Sequence, residues 1–303
     1  MVYRRVTRGL RQRALAMLLT GRAQADASAV NPLLSFADDQ HLSLDELWMA
    51  AEGDEPKAVM LIVPGVGRTG MAFLSPIFDG PDSDTITNLV RVACQTQDAN
   101  QMRLIQALLD PHQDIEVVAL AGAGFTKLAQ LLYMECDIEA GMIPLELDEA
   151  VTCLHWSRRT NSCFKDIILA SYQDTLDCPG LVGLRHIDDI LAGHMAAGVF
   201  KPELWFALHA HGEPVAVMLL NLASHGAVME LVYLGVAPGW RGRGVGRKLL
   251  AHGLGLASQY GATSMALAVD RINKPALHLY RSMHFTSTSR RQAMIYVLDD
   301  LEN

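Results

Sequence analysis

A glycine-rich basic stretch, WRGRGVGRKLL at residues 240–250, has the composition of a phosphate-binding turn. Such a turn, where it leads into a helix, presents free backbone amides and the positive end of the helix dipole to an anion. Its candidate ligand-binding residues are Arg241, Gly242, Arg243, Gly244, Val245, Gly246 and Arg247. The pattern predicts a site for a phosphate or pyrophosphate. A solvated basic turn, with glycines only for tightness, is the alternative interpretation.

The spacing of these glycines excludes two common nucleotide-binding loops. A Walker A loop requires Ser or Thr after its lysine, whereas Lys248 is followed by Leu249. A dinucleotide fingerprint requires GxGxxG directly after the first strand of a βαβ unit. Here the glycines alternate, and they follow the third of three predicted strands.

The elements that position the loop can be read along the second half of the chain. Apolar runs at 204–210, 215–223 and 227–236, separated by short polar turns, predict three antiparallel strands. The predicted elements that follow are a helix from Val245 to Tyr260, a buried strand at 264–270, a short helix capped by Asn273 and a closing β region at 285–298. The order predicts an α/β fold in which helices flank a mixed, mostly antiparallel sheet.

The chain contains the same pattern twice. EPKAVMLI at 55–62 recurs 158 residues later as EPVAVMLL at 213–220, and AGAGF at 121–125 matches RSMHF at 281–285 with an offset of 160. Two matches at nearly constant offset indicate tandem copies of one fold. We therefore expect two domains, residues 1–140 and 141–303, joined between Asp137 and Pro144.

Composition limits the class of protein. The 303 residues are half hydrophobic, 19% are charged and the net charge is -8, which is typical of a globular protein and argues against a general nucleic-acid binder. The apolar runs are shorter than the about 18–20 residues that span a bilayer. The five scattered cysteines form no CxxC, so we expect reduced thiols, no metal and a cytoplasmic protein.

The first 22 residues hold six arginines and no acid. This segment resembles an export signal, but its apolar core is short and arginines bracket it, so an amphipathic helix with Leu10, Ala14 and Leu18 on one face is the preferred interpretation. A contact with nucleic acid or a membrane surface is a weaker one.

Two motifs in the second half resemble those of the GNAT superfamily of N-acetyltransferases. The first resembles the acetyl-CoA signature and comprises Val236-x-Pro238 and then Arg241-x-x-Gly244-x-Gly246. The second is Asn273-x-x-Ala276-x-x-x-Tyr280, followed by Phe285. One departure is His284, where the family usually has glycine, and it affects a turn more than the chemistry. The resemblance covers about residues 204–298.

The resemblance implies acetyl-CoA as cosubstrate, with its pyrophosphate on the glycine loop. In the family the preceding strand splays from its neighbour and pairs with the pantetheine arm, a role that would fall to Leu234, Gly235 and Val236, with Gly235 allowing a bulge. Leu234 and Val236 would otherwise be ordinary strand core. Asn273 would bond the pantetheine or serve only as a helix cap.

Transfer of an acetyl group to an amine needs a base, because a protonated amine has no free electron pair. Glu230 is the only acid in its strand, and strand alternation predicts that it shares a face with Val232 and Leu234. The first copy has Ala72 at the matching position, so the fold itself does not require an acid there. Tyr280 stands where the family keeps the acid that protonates the departing thiolate. We expect direct attack in a ternary complex rather than an acetyl-enzyme on Cys178, which has no evident base.

The first copy lacks the residues of both motifs. Arg241, Gly244 and Gly246 match Ser83, Ile86 and Asn88, and the second motif's Asn273 and Tyr280 match Gln113 and Leu120. Three acids, Asp79, Asp82 and Asp84, crowd the region and would repel a pyrophosphate. We expect a degenerate first domain and one active site in the second.

The sequence therefore predicts an acetyl-CoA-dependent N-acetyltransferase that acts on a primary amine of a small molecule or peptide. The alternative is a non-catalytic acyl-CoA-binding sensor or interaction module. In this fold the segment at about 161–202 would select the acceptor. A homodimer is possible, and neither nucleic acid nor a membrane is expected as partner.

Overall fold

The structure is a computed structural model that describes residues 1–23, 28, 30–77, 83–144, 146, 151–224 and 227–298. It divides into two compact units, one of residues 1–129 together with the C-terminal segment from Arg291, the other of residues 130–290. This division differs from the expected boundary at residue 140, because each unit takes in a strand from the other half of the sequence. Asp79 and Asp82 lie outside the described residues.

The elements of the two halves follow one another in the same order, strand, two helices, three strands, helix, strand, helix, strand. The strands of the first half are β1 (Val2–Arg5), β2 (Leu47–Glu52), β3 (Glu55–Gly65), β4 (Thr69–Leu74), β5 (Leu104–Leu109) and β6 (Thr126–Asp137). Its helices are α1 (Arg11–Thr20), α2 (Asn31–Asp39), α3 (Ser83–Gln95) and α4 (Asp114–Gly122).

The second half repeats this order. Its strands are β7 (Thr152–His155), β8 (Val199–Ala210), β9 (Glu213–Leu222), β10 (Val228–Val236), β11 (Ser264–Asp270) and β12 (Thr286–Val297). Its helices are α5 (Asn161–Ser171), α6 (Ile187–Ala196), α7 (Val245–Gln259) and α8 (Lys274–Ser282). The strands and helices predicted for the second copy are confirmed to within about five residues, and the predicted closing β region is one long strand, β12.

Each unit contains a mixed sheet. In the second unit β7, β8, β9 and β10 pair antiparallel in that order, β10 pairs parallel with β11, and β11 pairs antiparallel with residues 131–137 of β6. In the first unit β1 to β4 pair antiparallel, β4 pairs parallel with β5, and β5 pairs antiparallel with residues 292–297 of β12. The predicted α/β class with a mixed, mostly antiparallel sheet is confirmed.

Apolar side chains cover both faces of the second unit's sheet. One face packs against α7 and α8 in a core that includes Met218, Leu250 and Leu277. The other packs against α5 and α6 around Phe164 and Trp205. Because both faces are buried, the central strands are almost continuously apolar, which explains why β9 and β11 carry so little polar–apolar alternation.

The arginine-rich start of the chain is part of the first unit. The helix begins at Arg11, and Ala14 and Leu18 are buried as predicted, whereas Leu10 lies in a 3-10 turn before the helix and is half-buried. Three arginines are paired with acids of the same unit: Arg4 with Asp54 at 2.9 Å, Arg5 with Glu46 at 2.7 Å and Arg11 with Asp45 at 2.9 Å. Nowhere in the described part of the chain does a helix reach the length and apolarity that crossing a membrane requires.

Candidate active site

A gap opens between two neighbouring strands of the second unit. β10 and β11 pair only from Val228 to Glu230, yet β11 runs on to Asp270 with β6 as its partner. β10 continues to Val236 paired with β9. The far edge of β10 therefore faces an opening in the sheet, where its backbone is accessible to a ligand that pairs like a strand.

A β-bulge at Val232 changes the side-chain pattern of β10. The register shifts between Leu231, opposite Leu220, and Tyr233, opposite Leu219. Two residues there oppose one, so the alternation is interrupted. The prediction that Gly235 hosts the bulge is thus wrong, and so is the prediction that Glu230 and Leu234 share a face. Leu234 packs with the α7 and α8 core, whereas Val232 and Tyr233 pack with the α5 and α6 core.

Residue 235 is a glycine for a different structural reason. A Cβ at this position would lie 2.5 Å from Ser171 Oγ and 2.7 Å from Tyr233 Cε1. Ser171 donates to the carbonyl of Ile168 at 2.7 Å and lies 2.7 Å from the Tyr233 hydroxyl, which is therefore the donor in that pair. The absent side chain lets the end of α5 approach β10 closely and fixes the strand beside the gap.

The glycine loop leads from β10 into α7. After a 3-10 turn at Pro238–Trp240, Gly242 and Gly244 adopt φ of 72° and 78°, a left-handed conformation that favours glycine. Gly244 is the N-cap of α7, so the first-turn amides, including those of Val245 and Gly246, point out of the helix end. Loop and helix N-terminus together have the backbone geometry that the predicted anion site requires.

Arg241 is anchored to protein backbone. Its Nε donates to Val236 O at 3.0 Å, and its terminal nitrogens donate to the carbonyls of Ser171 at 2.9 Å, Gln173 at 2.7 Å and Asp174 at 3.4 Å. Four of five guanidinium N–H groups are thereby used. Arg241 ties the glycine loop to the end of α5 while leaving its positive charge beside the loop.

The other two arginines of the motif lie along the start of α7. The Arg243 guanidinium lies 5.3 Å from the centroid of the Trp240 ring, a cation–π distance. Arg247 donates to Ser282 Oγ at 2.7 Å, which links α7 to α8. Both arginines are held close to the helix end that would face a pyrophosphate.

Asn273 is the N-cap of α8. Its side-chain oxygen accepts the N–H of Ala276 at 3.2 Å. This contact matches the capping interpretation and uses one lone pair of the oxygen, while the side-chain NH₂ group is a donor that a pantetheine carbonyl could accept from.

Tyr280 lies buried on α8, with 7% of its surface exposed and its ring 5.7 Å from that of Phe285. Burial, and after it the negative charge of Asp177, raises the pKa of the Tyr280 hydroxyl above its ordinary value. The hydroxyl is therefore protonated at neutral pH and is a hydrogen-bond donor.

Glu230 is half-buried at the point where the gap begins. It lies opposite Asn221, whose side chain accepts from Trp205 Nε1 at 3.0 Å and donates to His194 O at 2.8 Å. Paired residues of neighbouring strands point to the same face, so Glu230 projects toward the α5 and α6 layer. That layer includes the segment expected to select the acceptor.

Cys178 and the potential metal ligands also bear on the chemistry. Burial, and after it the charges of Asp177 and Asp270, raises the pKa of the Cys178 thiol to about 12. Such a thiol is not a nucleophile at neutral pH, which argues against an acetyl-cysteine. Among the residues that the structure describes, no group of three His, Cys, Asp or Glu side chains is placed to hold a metal ion.

The sequence reasoning missed Asp177 and Asp270. The N–H of Asp270 donates to Asp177 Oδ1 at 3.2 Å, so these acids meet at the end of β11. The available signal was an acid ending the otherwise apolar run SMALAVD.

The positions of the first unit that match the loop by sequence offset lie in a helix. Ser83, Ile86 and Asn88 all lie in α3, where Ile86 is buried and Asn88 accepts from Arg91 at 2.7 Å. The counterpart of Tyr280, Leu120, is fully buried. These positions are occupied by helix and core.

Residues 172–285 match the sequence profile of the acetyltransferase (GNAT) family. A streptothricin acetyltransferase of Streptomyces lavendulae is 34% identical over 79 residues, which is 26% of this chain and 42% of that protein's length. A mycothiol acetyltransferase of Thermobispora bispora is 25% identical over 89% of this chain and 92% of its own length.

A solved structure shows the same fold over nearly the whole chain. The GCN5-related N-acetyltransferase from Sphaerobacter thermophilus superposes with a TM-score of 0.61 at 16% identity, covering 98% of this chain and 95% of that one. The resemblance to GNAT proteins, predicted from two motifs, is confirmed by the family match and by this fold.

Proposed function

We propose, from the premise that residues 172–285 form a GNAT acetyltransferase domain, that the second unit transfers the acetyl group of acetyl-CoA to a primary amine. The observation that carries this proposal is the gap between β10 and β11 beside the glycine loop. A strand edge and an anion site in that order suit a cosubstrate with an amide-containing arm and a pyrophosphate.

Acetyl-CoA would bind along these two features. The first turn of α7 and the loop from Arg241 to Arg247 would hold the pyrophosphate, with Arg243 and Arg247 supplying charge. The backbone of Leu234, Gly235 and Val236 would pair with the pantetheine, and Asn273 would contact it through its NH₂ group. Arg241 would position the loop.

The reaction would be a direct displacement. Glu230 would take a proton from the ammonium of the acceptor, and the free amine would attack the thioester carbon. The new N–C bond forms as the C–S bond breaks, and the electron pair leaves on sulfur. Tyr280 would donate its hydroxyl proton to this sulfur, and the second proton that the acceptor nitrogen loses as the amide forms would restore the hydroxyl. The chain's cysteines take no covalent part.

The acceptor would lie on the α5 and α6 side, selected by residues 161–202. The two relatives are named for different compounds, streptothricin and mycothiol, so we propose only a primary amine. The free cysteines of the described chain, of which Cys94 and Cys136 are buried, suit the cytoplasm. We retain a homodimer as a proposal.

Glu230→Gln tests this function against the alternative of a non-catalytic acyl-CoA sensor. We expect the variant to bind acetyl-CoA with unchanged affinity and to lose at least about 100-fold in kcat, since general-base catalysis contributes roughly 10²–10⁴-fold. Thiol release from acetyl-CoA with a panel of primary amines measures turnover, and calorimetry measures binding. The control is Glu213→Gln, an exposed glutamate of the same unit. Full turnover in the Glu230 variant would contradict the assigned base.

A further inference from the structure

Asp270 is the last residue of β11, and one oxygen of its buried carboxylate has no hydrogen-bond partner among the described residues. The residue is 1% exposed, and its Oδ1 accepts the N–H of Ile272 at 3.1 Å. Its Oδ2 is shielded from solvent and has no hydrogen-bond partner among the described residues. A buried carboxylate oxygen without a partner is costly, because desolvation is not offset by a hydrogen bond or a cation.

Asp177 brings a second carboxylate to the same place. It lies in the segment between α5 and α6, and its Oδ1 accepts the backbone N–H of Asp270 at 3.2 Å. Burial, and the nearby negative charge of Asp270, raises the pKa of the Asp177 carboxyl, while the hydrogen bond from Asp270 opposes this. Two acids are thus gathered in a shielded environment.

The pair lies at the open end of the gap. β11 reaches Asp270 four residues beyond the last residue that pairs with β10, so the carboxylates are where these strands have diverged. The segment that carries Asp177 is held near the glycine loop by Arg241 through Ser171, Gln173 and Asp174. The charge of Asp177 also acts on Tyr280, which we place at the departing sulfur.

We propose that Asp177 and Asp270 form the subsite that binds the acceptor's primary ammonium group before transfer. This inference rests on the proposed function, since it assigns the acceptor side of the same site. An ammonium group has three N–H donors and a compact charge, which suits one unpartnered oxygen beside a second carboxylate. The acceptor is then recognised as a cation at the open end of the gap, before it reaches Glu230, which lies where the gap begins and takes its proton.

Two isosteric variants, Asp177→Asn and Asp270→Asn, test the subsite in the full chain. We expect each to raise KM for the amine at least about tenfold, because one charge-assisted hydrogen bond is lost. KM for acetyl-CoA should stay unchanged. The probes are 1,4-diaminobutane, 1-butylamine and 4-aminobutanoate, followed by thiol release. The control is Asp166→Asn, an exposed aspartate on α5, which we expect to match the wild type.

Thermal unfolding separates this subsite from a purely structural role. Asp270→Asn keeps an oxygen for the N–H of Ile272 and removes an unpaired buried charge, so we expect Tm to stay the same or rise. A lower Tm with an unchanged KM for the amine would overturn the proposal.

A second experiment measures Tm of the CoA-loaded protein with and without 1,4-diaminobutane, so that the result does not depend on turnover. We expect the diamine to raise Tm of the wild type and not of Asp270→Asn. An equal rise in both, no rise in either, or a rise with Mg²⁺ alone would overturn the subsite. None of these outcomes touches the proposed function, which fails instead if acetyl-CoA does not bind.

Discussion

At the scale of single residues, Arg241 shows that a motif position can be structural as well as ligand-directed. The sequence places it at the first position of an acetyl-CoA signature. In the structure, four of its N–H groups donate to carbonyls of β10 and of the segment at the end of α5. Its planar fork satisfies several acceptors at once, which a lysine ammonium does not match.

Replacing Arg241 should therefore loosen both sides of the site. We expect Arg241→Met to raise Kd for acetyl-CoA and KM for the amine, each about tenfold, because the glycine loop and the acceptor segment lose a shared anchor. Arg241→Lys should recover little of either. Calorimetry and steady-state kinetics provide the two numbers.

The matched control is Arg281→Met, an exposed arginine on α8, which should behave as the wild type. An Arg241→Met variant that changes only acetyl-CoA binding would show a phosphate ligand instead of an anchor.

Residues whose role is set by local backbone were predictable. Gly242 and Gly244 are needed for a left-handed turn at a helix end, and Asn273 is needed as a helix cap. Both requirements can be recognised from the neighbouring residues in the sequence. The bulge at Val232 and the meeting of Asp177 with Asp270 were not predictable. Each depends on a partner brought in by tertiary packing, so the residues alone carry no signal for it.

At the scale of elements, the last strand of each copy completes the sheet of the other unit. Residues 131–137 of β6 pair with β11, and Met134 is buried in the core that α7 covers. Residues 292–297 of β12 pair with β5, and Met294 is buried in the core that α3 covers. Each of these two strands therefore pairs within the unit that is formed mainly by the other half of the sequence.

A matched pair of cavity variants tests this crossing. Met134→Ala and Met294→Ala should each cost about 2–5 kcal/mol, since both side chains are fully buried. In hydrogen exchange, Met134→Ala should deprotect the amides of β11, and Met294→Ala those of β5. Deprotection of β5 by Met134→Ala would contradict the assignment.

The order of the elements was predictable, whereas the crossing was not. Glycines, caps and apolar runs are local signals, and they placed β10, β11 and α7 within a residue or so. The terminal strand of a tandem repeat can pair with either of two similar sheet edges, and its own residues do not indicate which edge it will join. The expected division at residue 140 followed the sequence copies alone.

At the scale of the whole molecule, the chain holds the fold twice and the glycine loop once. In the first unit the matching positions lie inside α3, and Leu120 stands where the second unit has Tyr280. The first copy has no glycine at the matched positions and no hydroxyl at Leu120. We therefore propose one cosubstrate site for each chain, in the second unit.

Titration of acetyl-CoA into the wild type and into Gly244→Val by calorimetry tests this claim most directly. A branched residue is disfavoured at φ of 78°, whereas the matched control, Gly239→Ala, adds a Cβ that has no atom within 4 Å. We predict one site per chain in the wild type and in Gly239→Ala, and at least about 100-fold weaker binding in Gly244→Val. Two sites per chain, or unchanged affinity in Gly244→Val, would contradict the account.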